Sequence, residues 1–174
     1  STTATVVMSK PSGATSTITA TPIGDTPQVA NGTTLEDTLS GAIVVSRNTN
    51  DGGEVTHFKI SGLTGGTLFK NDGVTAIATG SFVTFAEAQA GVKFLPSANS
   101  NSAGAFDVES SQDGTTVAAQ SGKAASTITV TPVAGFALNK ATVSVGEAGT
   151  TDTFAVVLTA QPNSNVVLSV TSGD

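Results

Sequence analysis

The chain has 174 residues with 13 acidic against 7 basic side chains, and a net charge of −6 disfavours any electrostatic grip on nucleic acid or an anionic membrane. Cysteine is absent, which excludes disulfides, thiol catalysis and cysteine-zinc sites, and the lack of tryptophan and tyrosine weakens sugar-platform and base-stacking readings. Hydrophobic residues make up 38%, enough for a core, but only 11% are charged, so threonine, serine, asparagine and glycine must cover a surface built from strands and turns.

In chain order, Thr3-Ala4-Thr5-Val6-Val7-Met8 has the alternation and β-branching of a strand. Next, Ser16-Thr17-Ile18-Thr19-Ala20-Thr21-Pro22 alternates threonine with apolar residues and stops at proline, as a last strand does before a linker. This run returns as Ser126-Thr127-Ile128-Thr129-Val130-Thr131-Pro132, with six of seven residues identical, 110 positions later. A repeat of that size is a whole domain. The expected division is therefore residues 1–24 as the C-terminal strands of a preceding repeat, 25–133 as a complete module, and 134–174 as the first strands of an incomplete one.

Within the module, period-2 alternation predicts strands at Ala42 to Arg47, Glu54 to Ile60, Gly66 to Phe69, Phe82 to Phe85, Val92 to Leu95, Gly104 to Glu109 and Ala125 to Thr131. Phe58 and Ile60 are expected to face the core together with Thr56, leaving His57 and Lys59 on the other side. Phe106 and Val108 are likewise expected inward, with Asp107 and Glu109 toward solvent. Asn50-Asp51-Gly52-Gly53, Asn71-Asp72-Gly73 and Gln112-Asp113-Gly114 read as turns, and Thr84 to Gly91 as a single helical turn ended by glycine. From Phe136 onward, Ala141 to Val145, Thr153 to Thr159 and Val166 to Val170 alternate again. Three strands cannot bury both faces of a sandwich, so their apolar face and sheet edge are expected to stay open unless another chain or further strands cover them. The fold class is all-β: tandem antiparallel β-sandwiches with Greek-key connections and few or no helices.

The strings Thr34-Leu35-Glu36-Asp37-Thr38, Asn50 through Leu63 and Gly66-Thr67-Leu68-Phe69 resemble the cadherin-like repeats of large bacterial surface adhesins, related to the chondroitin-sulfate-proteoglycan type. That resemblance spans roughly residues 25 to 133. The segment Val143 through Phe154, with Leu158-Thr159-Ala160-Gln161-Pro162, resembles the first half of a Calx-β domain. Together these resemblances imply immunoglobulin- or cadherin-like topology, a location outside the cell or on a bacterial surface, and calcium. They also imply end-to-end modules, as in a stalk or filament.

Calcium takes six to eight oxygen ligands and needs neither histidine nor cysteine. The candidate oxygens belong to Asp25, Glu36, Asp37, Asp51, Asp107 and Asp113, with Glu147 and Asp174 as further candidates in the partial domain. Asp25 lies in the linker Pro22-Ile23-Gly24-Asp25-Thr26-Pro27, and the resemblance places Glu36 and Asp51 at acidic positions of the repeat's opening motif. The competing reading makes Asp37, Asp51 and Asp113 turn caps and Glu36 a solvated charge, since the linker lacks a dense Asp-x-Asp pattern and no EF-hand run is present. His57 is the sole histidine and has no converging partners in the sequence, so it reads as an exposed strand residue. Neither a Gly-x-Ser-x-Gly elbow nor Ser-x-x-Lys occurs, and Gly52-Gly53 and Gly65-Gly66 are turns without a following phosphate-binding helix. Asp107 and Glu109, about 7 Å apart on one strand face, could mimic a glycosidase pair, but no aromatic platform accompanies them.

The expected role is therefore structural and adhesive, without enzymatic activity. The expected partners are neighbouring modules or identical subunits and, at the ends of an array, cell-surface or matrix components. One alternative is a filament subunit joined by strand exchange, with residues 1 to 9 as donor and residues 136 to 174 as acceptor. The other is an ancillary domain of a secreted hydrolase.

Overall fold

Short alternating runs separated by glycine, asparagine and aspartate become strands here because each finds a neighbour to complete its backbone hydrogen bonds. The computed structural model describes residues 5–9, 15–160, 162 and 164–171. Asp174 lies outside the described residues. The N-terminal stretch is a hairpin, β1 (Thr5–Ser9) against β2 (Thr15–Thr19), running antiparallel with Val6 opposite Ile18 and Met8 opposite Ser16. The central stretch begins with β3 (Gln28–Val29), β4 (Gly32–Leu35), β5 (Val45–Ser46), β6 (His57–Thr64), β7 (Gly66–Phe69), β8 (Ala76–Ile77) and β9 (Phe82–Thr84). It continues through α1 (Phe85–Ala90), β10 (Lys93–Pro96), β11 (Gly104–Ser111) and β12 (Ala124–Thr131). Finally, β13 (Phe136–Leu138) pairs antiparallel with β14 (Val156–Leu158). The fold is all-β, with one six-residue helix among the described residues.

One apolar core joins three sheets of the central stretch. A five-stranded sheet has the order β4-β12-β11-β6-β9, a three-stranded sheet the order β10-β7-β8, and β3 pairs with β5. Phe58 and Ile60 of β6, Phe106 and Val108 of β11 and Ile128 of β12 meet Leu68 of β7, Phe94 of β10 and Val45 of β5 in one buried cluster. The inward positions of Phe58, Ile60, Phe106 and Val108 are as the alternation predicts. Thr56 departs from expectation. It is exposed and Val55 is buried instead, because the ladder begins at His57 and the Thr56 hydroxyl turns outward to donate to the Gln112 carbonyl, 2.7 Å away.

Among the described residues all the ladders are antiparallel except one. β4 runs parallel to β12, with Gly32 opposite Ile128 and Leu35 opposite Thr131, and the Glu36 N–H extends the pairing to the Thr131 carbonyl at 2.9 Å. The module's first long strand and its last are thus fastened side by side, pointing the same way.

At six residues α1 is too short to persist on propensity alone. Its ends are secured: Thr84 and Glu87 form a reciprocal capping box, and Gly91 closes the helix at φ 93°. Glu87 also receives the Lys70 ammonium at 2.6 Å. Phe85 anchors the helix to the core, its ring centroid 6.3 Å from that of Phe58 and 3.6 Å from the Arg47 guanidinium carbon.

Beyond Pro132 the picture changes. Of the three predicted strands only Val156 to Leu158 pairs, and its partner β13 was not among the predictions; Ala141 to Val145 and Val166 to Val170 form no ladder. Their sequence alternates, but no described strand stands beside them to accept the hydrogen bonds. The open apolar face is present as expected: Val167, Val170 and Val145 are 86%, 78% and 70% exposed.

The core makes a direct prediction. Phe58→Ala should cost about 3–5 kcal/mol through lost transfer energy and a residual cavity. Gly104→Ala should cost about 1–3 kcal/mol by overpacking, because a Cβ there would collide with the buried Phe94 ring. Val74→Ala, at an exposed site, should stay within about 0.5 kcal/mol. Urea unfolding of the three variants checks the ranking.

Candidate functional site

The polar residues with the most to do lie at the two ends of the central module. At the first end, the linker from Pro22 to Pro27 is laced down. Gly24 is buried because a Cβ there would sit 2.7 Å from Val55 and 3.3 Å from Ala118 and Ser110. The Gln112 side-chain amide donates to the Pro22 carbonyl at 3.0 Å, the Asn48 amide to the Thr26 carbonyl at 2.9 Å, and the Gly122 N–H to Thr26 Oγ1 at 2.8 Å. The Asp25 N–H donates to both carboxylate oxygens of Asp51, each at 3.1 Å. A polar hollow of about 440 Å³ opens beside these groups, lined by Thr21, Pro22, Asp25, Asn50 and Gln120 among others.

The carboxylates at this end differ in electrostatic setting. Burial pushes the Asp51 carboxyl above its usual range, the Asp25 N–H opposes that shift, and the nearby Asp25 and Glu54 carboxylates reinforce it. Glu54 is held below its usual range by backbone N–H groups, its own first and then that of Gly52 at 2.9 Å. Glu54 was read only as a strand residue. The signal was the spacing Asp51-Gly52-Gly53-Glu54, in which a carboxylate just past two glycines can fold back onto the turn's free N–H.

Glu36 and Asp37 occupy the opposite end, beside the last residues of β12. Glu36 is 5% exposed, not a solvated charge, and its Oε2 is buried without a hydrogen-bond partner. Asp37 adopts φ 53°, a left-handed conformation that aspartate tolerates, and its carboxylate accepts the Asn99 N–H at 2.8 Å. Because β12 runs the length of the module, roughly 20 Å at a strand's rise per residue, Asp25 and Asp51 cannot share an ion with Glu36 and Asp37.

The remaining candidates serve local structure. Asp107 pairs with Lys123 at 3.3 Å and lies against Gly62, where a Cβ would come 2.8 Å from the carboxylate and the φ of 61° also favours glycine. This pairing also occupies one member of the Asp107 and Glu109 couple. Asp113 closes its turn by accepting the Thr115 and Thr116 N–H groups at 2.8 Å and the Thr116 hydroxyl at 2.9 Å. Those bonds hold its carboxyl far below the usual range. Asp72 does the same at the Asn71-Asp72-Gly73 turn: hydrogen bonds from the Thr75 hydroxyl and the Val74 and Thr75 N–H groups bring it down to about 2. His57 is half-buried, its Nδ1 lying 2.8 Å from Thr56 Oγ1 and its ring covering the Gly114 turn. Glu147 is exposed in the C-terminal segment. Among the described residues, no three histidine or acidic side chains converge as a metal cage. The calcium candidates thus fall into separate places, of which only the Asp25 and Asp51 junction links two by a hydrogen bond, and they do not fit one shared calcium site.

The repeated run is a strand in both places, but in different registers. Ile18 stands opposite Val6, 12 residues earlier (18 − 6), in the N-terminal hairpin, whereas its sequence counterpart Ile128 stands opposite Gly104, 24 residues earlier (128 − 104), in β11. At the other end, Leu138 stands opposite Val156, and each lies 110 positions beyond a member of the pair Gln28 and Ser46 that joins β3 to β5. No family model, curated protein or solved structure matches this chain. The geometry therefore carries the functional argument.

The carboxylates predict a pH profile. Asp72 and Asp113 titrate lower in the native turns than the usual 3.8, so the stability they confer is present above 3.8 and lost as pH falls through their native values. Asp51 has the opposite sign: its native carboxyl takes up a proton more readily than the unfolded one, so stability gained from it rises as pH falls through its native value toward 3.8. Thermal melts from neutral to strongly acid pH should show a shallow gain and then a steep loss. Asp113→Asn should flatten the loss, and Asp51→Asn should abolish the gain.

Proposed function

We propose that this chain is a structural segment of an extracellular, bacterial-surface array of cadherin-like β-sandwich modules with Greek-key connections, whose task is to transmit tension between adhesive surfaces. The observations that support this reading are the Ser-Thr-Ile-Thr run, which lies in an antiparallel strand pair both before the central module and at its close, and the pairing of β13 with β14 in the register of β3 with β5. A chain built that way runs in at one end of each module and out at the other. The reading assigns no reaction to the molecule. Among the described residues no helix is long and apolar enough to cross a membrane.

The mechanism follows from the parallel ladder. Tension entering from the linker before β3 pulls β4 toward its N-terminus at Gly32, and tension leaving through Pro132 pulls β12 toward its C-terminus at Thr131. The two strands are parallel, so these pulls are opposed along the strand axis and the ladder is sheared. In shear every hydrogen bond in the ladder must stretch together, whereas peeling would break them one at a time. Each contributes only about 0.5–1.5 kcal/mol net at equilibrium, but simultaneous loading raises the force needed to reach the first rupture. The lacing of Pro22 to Pro27 onto Asn48, Asp51, Gln112 and Gly122 delivers force to the sheet without slack. Calcium enters this reading only at the Asp25 and Asp51 junction, as an added restraint on bending.

Single-molecule stretching of the chain tests the reading. Residues 25–133 should unfold in one event with a contour gain of about 350 Å, the ~3.4 Å per residue of the extended chain less the roughly 20 Å that the folded module spans. Thr129→Pro, which breaks the β4 ladder at a β12 residue past the stretch paired with β11, should lower the unfolding force by half or more. A gradual, low-force extension would remove the tension-bearing role. Unchanged melting and protease cleavage at the linker on adding calcium or a chelator would remove calcium from it.

A further inference from the structure

We infer that Asn31 is a self-modifying site gated by the pairing of β4 with β12. While the two strands are paired the Asn31 side chain is held out of reaction. When they part, the Gly32 nitrogen attacks that side chain, water completes the change, and the isoaspartate formed keeps the strands from pairing again in register.

Asn31-Gly32 is the one Asn-Gly pair in the chain; the other eight asparagines precede threonine, aspartate, serine, lysine or valine. The residue after an asparagine matters because its backbone nitrogen can reach the side-chain carbon Cγ and close a five-membered ring, an approach that a Cβ obstructs and glycine leaves clear. Packing imposes the glycine here: a Cβ at Gly32 would lie 2.7 Å from Ile43 Cδ1 and 3.3 Å from Ile128 Cγ1. The fold thus sets the most reactive kind of asparagine at the head of the strand that closes the module.

In the closed module three restraints oppose ring closure. Asn31 Oδ1 accepts the Thr127 N–H at 2.9 Å, which turns the side chain toward β12. The Gly32 N–H points the same way, because Glu36, four residues on, donates its N–H to the Thr131 carbonyl and alternate N–H groups of a strand share a side. Ala30 is pinned twice, its N–H to the Val44 carbonyl at 3.2 Å and its carbonyl to Ser126 Oγ at 2.7 Å, so the backbone leading into Asn31 cannot swing. Solvent is already at hand, since Asn31 is exposed. Strand pairing, not access, is the gate.

When β4 leaves β12 these restraints go together. The Gly32 nitrogen gives its proton to water and bonds to Asn31 Cγ, the Cγ–Nδ2 bond breaks, and ammonia leaves with a proton from solvent. A cyclic imide remains, and water adds to one of its two carbonyls. Opening at Cγ gives aspartate with the main chain as before; opening at the main-chain carbonyl gives isoaspartate, in which the chain runs through the former side chain. Either way one water is consumed and one ammonia released, with no oxidation or reduction. The aspartate still offers an oxygen to the Thr127 N–H, now with a charge that strengthens the bond. The isoaspartate adds a carbon to the backbone just ahead of β4 and turns the group that held Thr127 into main chain. Gly32 then cannot return opposite Ile128 while Ala30 stays pinned.

Mass spectrometry of the full chain, incubated at mildly alkaline pH and physiological temperature, tests the site. The tryptic fragment ending at Arg47 contains no asparagine but Asn31, so a gain of about one dalton there reports this residue alone. The chain unfolded in guanidinium should convert about tenfold or more faster than the native chain, in which only the open fraction reacts. Thr129→Pro, which breaks the ladder, should convert faster than the native wild type; Ser126→Ala, which frees the Ala30 carbonyl, replaces it if the proline variant does not fold. Equal rates in native and unfolded chains overturn the gating, and an unfolded chain that gains no mass at this fragment overturns the site itself. The products, separated by charge and scored with an isoaspartate-specific methyltransferase, test the consequence. After refolding, the isoaspartate form should melt below the wild type, whereas Asn31→Asp, equivalent to the other product, should melt with it. An isoaspartate form that melts as the wild type does overturns the failure to re-pair.

Discussion

Every strand in this protein is only as good as its neighbour. With 11% charged residues and no disulfide to fall back on, the module is held by apolar burial and by backbone ladders, and a ladder needs two sides. The parallel pairing of β4 with β12 is the one that matters most, because it joins the module's first long strand to its last and so turns a meander of short strands into a closed unit. Phe58, Phe94 and Phe106 fill the interior that this closure creates. Where closure is missing, as beyond Pro132, strands with equally good alternation do not assemble.

The scarcity of charge reshapes the role of the acids that are present. Asp72 and Asp113 each collect three hydrogen bonds from a turn's backbone and a threonine hydroxyl, work that stabilises loops between short strands, where the entropy cost of ordering falls most heavily. Asp51 does the equivalent for the linker by gripping the Asp25 N–H. Glu36 is the exception, buried at the exit end with one oxygen unpartnered. A carboxylate in that position costs stability unless something compensates it, which makes the exit end electrostatically unlike the laced entry end.

Most of the module was legible in the sequence because its signals are local. Gly66 to Phe69 is a strand with those bounds, and the inward faces of β6 and β11 follow from alternation of phenylalanine with polar residues. The helical turn was legible from alanines and a terminal glycine, and Thr84 and Glu87 supply the capping box that holds it. What escaped the sequence depends on long-range partners. β3, β4 and β8 are two to four residues long, too short for a period to register. The exposure of Thr56 is decided by a carbonyl 56 residues away on Gln112. Asp25 meets Asp51 across 26 residues with no motif to announce it, and the scatter of the six candidate acids over two ends, one strand and one turn could be read only once the strands had places.

The same seven-residue run, in two places, shows how far local sequence goes. At 126–132 it lies between β11 and β4, and its serine and threonine reach across to Ala30 and Asn31. At 16–22 the same Ser-Thr-Ile-Thr core pairs on one side alone among the described residues. Nothing in the run itself differs enough to account for this, since the single change is alanine for valine at position 20 against 130. The difference is the partner strand. An open β-edge backed by apolar residues is unstable toward pairing in water, because unpaired backbone groups and exposed valines both lower their free energy by finding cover.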